Sequence, residues 1–167
     1  MTDEDYMRMA LEEARRAEGR GEVPIGAVVV YDPIDPATRA HLAEPQVIAR
    51  ACNVRETEQD PAGHAEFVAL REAARHLGAW RLTGCTVFVT LEPCIMCAGL
   101  MHQARIDRCV YGAADPKAGA LGTLYQINSD KRLNHTFEVV PGVLAEECAQ
   151  MLRTFFAERR KKRTGQL

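Results

Sequence analysis

The sequence predicts an α/β fold, with a sheet covered by helices on both faces. β-branched runs of strand length alternate with segments whose apolar residues recur at helical spacing. The chain has 167 residues, of which 47% are apolar and 26% are charged. That length and composition are typical of one globular domain with a sizeable core. We therefore expect a single domain over residues 1–167.

The first half of the chain predicts helix, strand, strand and helix, in that order. Apolar residues from Tyr6 to Ala17 recur at helical spacing, and the glycines of EGRGE end that helix. The run IGAVVVY (25–31) predicts a buried strand, and QVIARACN (46–53) predicts a second strand paired with it. The proline-interrupted connection between them predicts no regular element. A helix from about 65 to 77 follows.

In the second half of the chain, predicted strands and helices continue to alternate. It predicts a strand at 86–91, a helix at 93–104, a strand at 108–113 and a further strand at 137–142. A long final helix then places six residues on one apolar side, namely Leu144, Cys148, Met151, Leu152, Phe155 and Phe156.

Charge and composition exclude several classes of protein. No apolar run approaches the ~20 residues that a membrane-spanning helix needs, and the first residues lack the basic and apolar regions of a secretory signal. We therefore expect a cytoplasmic protein whose six cysteines are thiols or metal ligands. The net charge is −2, but Arg159–Arg163 is a run of five basic residues.

The segment PAGHAEFVAL (61–70) places two titratable side chains at a helix start. His64 and Glu66 flank one alanine just before the apolar positions of that helix. Taken alone, Glu66 is explained by the helix dipole, which favours a carboxylate in the first turn. A chemical role therefore needs support from elsewhere in the chain.

The segment LEPCIMCAG (91–99) supplies that support. Pro93 is expected at the first helical position, and Cys94 and Cys97 are three residues apart, so that both lie on one helix face. A helix N-terminus favours thiolates, and two thiolates at this spacing make half of a zinc site. A redox pair and two buried small residues remain alternatives for an isolated CxxC.

Together the two segments predict a catalytic zinc site. Both helices follow strands, so their N-termini lie at the edge of the sheet where ligands bind in α/β proteins. His64, Cys94 and Cys97 then supply three ligands for one zinc ion and leave a fourth position open, as in catalytic sites. Glu66, which is close but not a ligand, can move protons. The combination of H-x-E with P-C-x-x-C is the known signature of zinc nucleobase deaminases.

A closed structural zinc site would need a fourth ligand. The other cysteines and histidines are the candidates for it: Cys52, Cys85, Cys109, Cys148, His41, His76, His102 and His135. Cys85 and Cys109 border strands, and we interpret them as small core residues. His102 is interpreted as a helix-end residue turned away from the ligand face.

Nearly the whole chain resembles the bacterial tRNA-specific adenosine deaminases. The resemblance is carried by the following segments: GEVPIGAVVV, HAEFVAL, VFVTLEPCIMCAGLMHQARI, YGAADPKAGALGTL, LNHTFEVVPGVLAEECAQMLRTFF and the basic end. It implies a three-layer α/β/α sandwich around a five-stranded mixed sheet, as in cytidine deaminase. It also implies a homodimer that binds a tRNA anticodon stem-loop and converts the wobble adenosine of an arginine tRNA to inosine.

The resemblance also implies roles for individual residues. His64, Cys94 and Cys97 correspond to the zinc ligands, and Glu66 to the proton shuttle. Asn53 matches a substrate-contacting asparagine. Asp115 and Lys117 fall in a loop near the RNA, and Glu22 and Val23 fall in the pocket wall.

Two other functions are alternatives to this hypothesis. A small-molecule deaminase acting on guanine, cytosine or a nucleoside would share the fold and the metal, but it would not need the 115–117 loop or the basic helix end. A non-catalytic, zinc-stabilised RNA-binding module would not need Glu66.

The connection DPIDPATRAHLAEP between the first two strands is longer than the family's turn, and we expect it to lie away from the metal motifs. We expect the basic run Arg159–Arg163 to contact RNA phosphates.

Overall fold

The computed structural model describes residues 1–165; the last two residues of the expected domain lie outside the described part. Its helices and strands, in chain order, are α1 Asp3–Gly19, β1 Gly26–Tyr31, β2 Gln46–Cys52, α2 Ala65–Leu77, β3 Cys85–Leu91, α3 Ile95–Ala104, β4 Arg108–Ala113, β5 Glu138–Val140 and α4 Ala145–Thr164.

The five strands form one mixed sheet in the order β2-β1-β3-β4-β5. Strand β1 is antiparallel to both β2 and β3, whereas β3, β4 and β5 are parallel to one another. Strand β2 therefore runs in the same direction as β3 and β4. As a result, the carboxyl ends of these three strands lie at the same edge of the sheet, which we call the carboxyl edge.

Helices cover both faces of the sheet, as the sequence predicts. Because side chains alternate along a strand, Val29 and Val87 pack on one face with α2 and α3. Val28 and Phe88 pack on the other face with α1 and α4. Helix α1 lies directly on the backbone of β1, since a Cβ at Gly26 would be 2.0 Å from the carbonyl oxygen of Ala10. The fold is thus the predicted three-layer sandwich.

Three predicted boundaries are wrong. Pro93 precedes α3 instead of beginning it, because Cys94 is the N-cap with extended backbone and the helix starts at Ile95. Leu144 precedes α4 as its N-cap, with a φ of 52°. The last strand has three residues, Glu138–Val140, where six were predicted.

The long connection between β1 and β2 lies at the edge opposite to the carboxyl edge. Asp32 donates its backbone N–H to Gly84, which precedes β3, and the connection is mostly exposed. This confirms that it lies away from the metal motifs. Among the described residues, no helix is both long enough and apolar enough to cross a bilayer.

Candidate zinc site and active-site pocket

Two helix starts at the carboxyl edge bring the predicted ligands together. His64 is the N-cap of α2 and Cys94 is the N-cap of α3, while Cys97 lies in the first turn of α3. Neither N-cap side chain makes a capping hydrogen bond with its own helix. Both side chains are therefore available to a ligand, and the positive ends of two helix dipoles face the same point.

The three ligand atoms have the spacing that a tetrahedral zinc ion requires. The Nδ1 atom of His64 lies 3.6 Å from the Sγ atom of Cys94 and 3.6 Å from that of Cys97. Usual zinc bond lengths of ~2.3 Å to sulfur and ~2.0 Å to nitrogen, at tetrahedral angles, place such atoms about 3.5 Å apart. The donor set and its geometry both fit zinc.

A closed structural site finds no support within residues 1–165. The ligand atoms of His64, Cys94 and Cys97 all lie within 4.8 Å of one another, and no fourth His, Cys, Asp or Glu of the described chain joins them. Cys85 and Cys109 are buried in the core, as predicted. His102 is buried near the end of α3. Three protein ligands with one position open is the pattern of a catalytic site.

Local electrostatics favour a thiolate at this point. The hydrogen bond from Cys97 lowers the pKa of the Cys94 thiol to about 4, and the same pairing raises the pKa of Cys97. The hydrogen bond with Cys94 also raises the pKa of His64. These contacts therefore favour the thiolate form of Cys94, which is the form that binds metal.

Glu66 lies beside the three ligand residues without being one of them. Its side chain is only 4% exposed, and it lines the same pocket as His64 and Cys94. Burial raises the pKa of the Glu66 carboxyl above its ordinary value, which is typical of groups that both accept and return protons.

The metal motifs open into a pocket of about 250 Å³. Asn53, directly after β2, forms part of its wall, and Val23 lines it as the sequence predicts. The amide Nδ2 of Asn53 donates to Glu22 at 3.0 Å, and Glu22 also accepts the backbone N–H groups of Glu56 and Thr57. Glu22 is therefore behind the wall, where it fixes the orientation of Asn53.

The two predicted loop residues have different positions. Asp115 lines the pocket, and its carboxylate accepts the backbone N–H groups of Lys117 and Ala118. Lys117 is exposed and lines a neighbouring groove of about 770 Å³ instead. The structure thus brings Asp115 to the pocket but not Lys117.

Sequence reasoning missed several pocket residues, among them Arg55, Glu92 and Phe156. The available signal was closeness in the sequence to predicted site residues, because Arg55 is two residues after Asn53 and Glu92 is two residues before Cys94. For Phe156 the predicted position on the apolar side of α4 does not lead to burial: the residue is 40% exposed and lines the pocket, and the only buried residue of α4 is Cys148.

The basic end of α4 lies close to this pocket. Arg159 forms an ion pair with Glu56 at 2.9 Å, and its guanidinium lies over the ring of Phe155. Arg160 lines the groove that also contains Phe156 and Lys117. Arg159 is therefore already paired within the chain, whereas Arg160 faces the groove.

Comparison with known proteins agrees with this geometry. A family profile described as the cytidine and deoxycytidylate deaminase zinc-binding region matches residues 1–113. A tRNA-specific adenosine deaminase of Bacillus subtilis is 50% identical over 161 residues, which cover 96% of this chain and 92% of that protein.

Solved structures give the same result. One, from studies of A-to-I editing by tRNA:A34 deaminases at the wobble position of transfer RNA, has a TM-score of 0.77 and 40% identity, covering 89% of this chain and 99% of that one. A guanine deaminase from Nitrosomonas europaea has a TM-score of 0.71 at 22% identity, covering 92% of this chain and 84% of that one. The second likeness extends to the fold alone.

Proposed function

The chain belongs to the cytidine and deoxycytidylate deaminase zinc-binding family, and from this membership we propose that it deaminates adenosine to inosine at the wobble position of an arginine tRNA. The observation that carries the proposal is the meeting of His64, Cys94 and Cys97 around one point, with the non-ligand Glu66 in the same pocket. The tRNA substrate is proposed because proteins of that activity match this chain over nearly its full length.

We assign His64, Cys94 and Cys97 to one zinc ion per chain. When bound, zinc supplies Lewis-acid activation of water near neutral pH. An anticodon loop presents unstacked bases, so an adenosine can enter the pocket without the full cost of opening a duplex.

The proton transfers fall to Glu66. Its carboxylate takes a proton from the attacking water and delivers it to ring N1 of adenine while oxygen adds to C6. It then takes the proton of the hydroxyl now bound to C6 and passes it to the amino group, so that the C6–N bond breaks, ammonia leaves and a carbonyl remains at C6. The balanced reaction converts adenosine and water to inosine and ammonia.

The rest of the pocket orients the substrate. Asn53, fixed by Glu22, contacts the nucleoside, and Asp115 bounds the pocket on the loop side. Lys117 and the basic end of α4 lie outside the pocket, where phosphates of a bound loop would pass. We propose that the whole chain acts as one deaminase domain and that it works in the cytoplasm, where tRNA is modified.

We also propose that two copies of this chain associate. Ile95, Leu124 and Tyr125 are each more than half exposed. They lie close together because Gly119 pairs with Cys94 and accepts the N–H of Leu124. An exposed apolar cluster beside a pocket is typical of an interface.

Sequencing of the anticodon loop tests the function. The purified, zinc-loaded protein is incubated with arginine tRNA, and inosine is read as guanosine after reverse transcription. Ammonia release from free guanine and cytosine is measured alongside. We expect conversion of the wobble adenosine only. Brisk turnover of a free base without conversion of tRNA would assign the chain to the small-molecule deaminases.

A further inference from the structure

One buried carboxylate holds the loop of residues 114–123, which we call the pocket loop. Glu92 lies between β3 and the ligand Cys94 and is 2% exposed. Its carboxylate accepts the backbone N–H groups of Asp115 at 3.0 Å and of Leu121 and Thr123 at 3.1 Å. The hydroxyl of Thr123 donates to it as well. Both ends of the pocket loop are thus bound to one side chain.

No Lys, Arg or His side chain of residues 1–165 forms an ion pair with this carboxylate. A buried polar side chain without hydrogen bonds is unfavourable, and Glu92 receives its hydrogen bonds from the donors of the pocket loop. Those donors converge only when the loop has this conformation. The burial of Glu92 and the loop conformation therefore depend on each other.

The loop approaches Glu92 as closely as a glycine allows. A Cβ at Gly119 would lie 2.3 Å from the Oε2 atom of Glu92, closer than real Cβ contacts. Gly119 also forms a β-bridge with Cys94, and Ala120 donates its N–H to the carbonyl of Pro93. The same contacts that hold the loop therefore connect it to a metal-ligand segment. This close approach accounts for Gly119, the first of the two glycines within DPKAGALG.

We propose that Glu92 is a positioning residue for substrate binding: it holds the pocket loop so that Asp115 bounds the pocket and Lys117 faces the adjoining groove. The proposal rests on the proposed function, since a loop that extends from the pocket to a cation-lined groove serves a polynucleotide. A free base would occupy the pocket alone. Glu92 therefore affects the binding of the anticodon stem-loop more than it affects proton transfer.

The test compares Glu92→Gln with two other variants. Glutamine has nearly the same size, but its Nε2 cannot accept the N–H of Asp115. Thr123→Val removes only the hydroxyl donor from the same carboxylate. Glu44→Gln, an exposed position in the distant 32–45 connection, is the matched control for the loss of one carboxylate charge. For each protein, zinc content, amide hydrogen exchange, and kcat and KM on an anticodon stem-loop are measured.

We expect Glu92→Gln to keep one zinc per chain and to raise KM about tenfold, the scale of removing a hydrogen bond to a charged group, while kcat changes less than about threefold. The amides of Asp115, Leu121 and Thr123 should exchange faster. Thr123→Val should show a smaller effect in the same direction, and Glu44→Gln should behave as the unaltered protein. A folded Glu92→Gln protein with unchanged KM and unchanged exchange would overturn the proposal.

Two further outcomes also support or refute the positioning role of Glu92. If Glu92→Gln does not fold, the KM of Thr123→Val is decisive, with a raised value supporting the positioning role and an unchanged value refuting it. If the unaltered protein does not convert the stem-loop at all, the proposed function fails. Hydrogen exchange then still tests the positioning role, because faster exchange at the three amides supports it and unaltered exchange refutes it.

Discussion

At the scale of residues, Glu66 and His64 are separated by one alanine but differ in their relation to the metal site. The Nδ1 atom of His64 joins the sulfur pair, whereas Glu66 remains outside that group. Glu66→Gln preserves size and removes the proton carrier. We expect the variant to retain zinc and its melting temperature and to lose deamination by a factor of about 10²–10⁴.

Zinc content and inosine formation, measured on the same preparation, check this expectation. Glu66→Ala should behave in the same way, because its loss is also confined to proton transfer. Activity above roughly a hundredth of the unaltered rate would contradict the proton-shuttle role. Loss of zinc from either variant would instead make Glu66 a ligand.

A second residue-scale prediction separates ligand cysteines from core cysteines. Cys97 and Cys148 are both buried thiols, but only Cys97 belongs to the ligand group. Cys97→Ala should leave well under one zinc per chain, because two ligands hold zinc much less tightly than three. Cys148→Ala, the matched control, should keep full zinc and lose only packing stability in α4.

Metal analysis after dialysis, together with thermal unfolding, distinguishes the two cysteines. Full zinc retention in Cys97→Ala would remove it from the ligand set. Equal zinc loss in both variants would mean that the loss reflects general destabilisation.

Residue-scale prediction from sequence succeeds where the chemistry is local. His64 with Glu66, and Cys94 with Cys97, are close together in the chain, and each pair stands at a helix start that the sequence also predicts. The hydrogen bonds of Glu92 could not be predicted, since its partners are more than 20 residues away along the chain. Nothing in the sequence says that a carboxylate near Cys94 faces loop N–H groups instead of solvent.

At the scale of elements, β-branched runs and helical apolar spacing predict the five strands and the four α-helices in order, because these patterns depend on local periodicity. The short 3-10 helix Ile127–Ser129 was not predicted. Helix α4 shows the limit. A long final helix is predicted with Phe155 and Phe156 on its apolar side, but Phe156 lines the pocket instead of packing in the core. Periodicity indicates which residues share a face, whereas the partner of that face depends on the tertiary fold.

The prediction at the scale of elements concerns the basic end of α4. Arg160–Arg163 continue the exposed helix beyond the Arg159–Glu56 ion pair, and Arg160 lines the groove next to the pocket. Replacing these four residues by glutamine keeps helix propensity and removes positive charge near the path of the RNA. We expect weaker tRNA binding and a flatter salt dependence, with the slope falling by about 0.7 for each phosphate that the helix end no longer neutralises.

Binding measured at several salt concentrations checks this prediction, and zinc content should stay unchanged. Arg8→Gln with Arg15→Gln, two exposed positions on α1, controls for the general loss of positive charge. An unchanged slope in the α4 variant would show that this end makes no phosphate contact. The control removes two positive charges where the α4 variant removes four, so a change half as large in the control would assign the effect to net charge.

At the scale of the whole molecule, the sheet order concentrates the polar chemistry at the carboxyl edge. Strands β2 and β3 are not neighbours along the sheet, because β1 lies between them in the opposite direction. They therefore deliver Asn53 and Cys94 to the same edge from either side of β1. The sequence predicts that both metal motifs follow strands, but the order of the strands in the sheet is set by contacts between distant parts of the chain, which local patterns do not show.

The last prediction concerns association of two copies. Ile95, Leu124 and Tyr125 form an exposed apolar cluster at the carboxyl edge, and exposed apolar clusters of this kind mark interfaces. Leu124→Asp combined with Tyr125→Asp would introduce charges that cannot be buried without partners. We expect light scattering to give twice the chain mass for the unaltered protein and a lower mass for this variant. Trp80→Asp, also at an exposed apolar position but beyond α2 at the opposite edge, should leave the mass unchanged. A monomeric unaltered protein, or a variant with undiminished mass, would refute the assignment of this face.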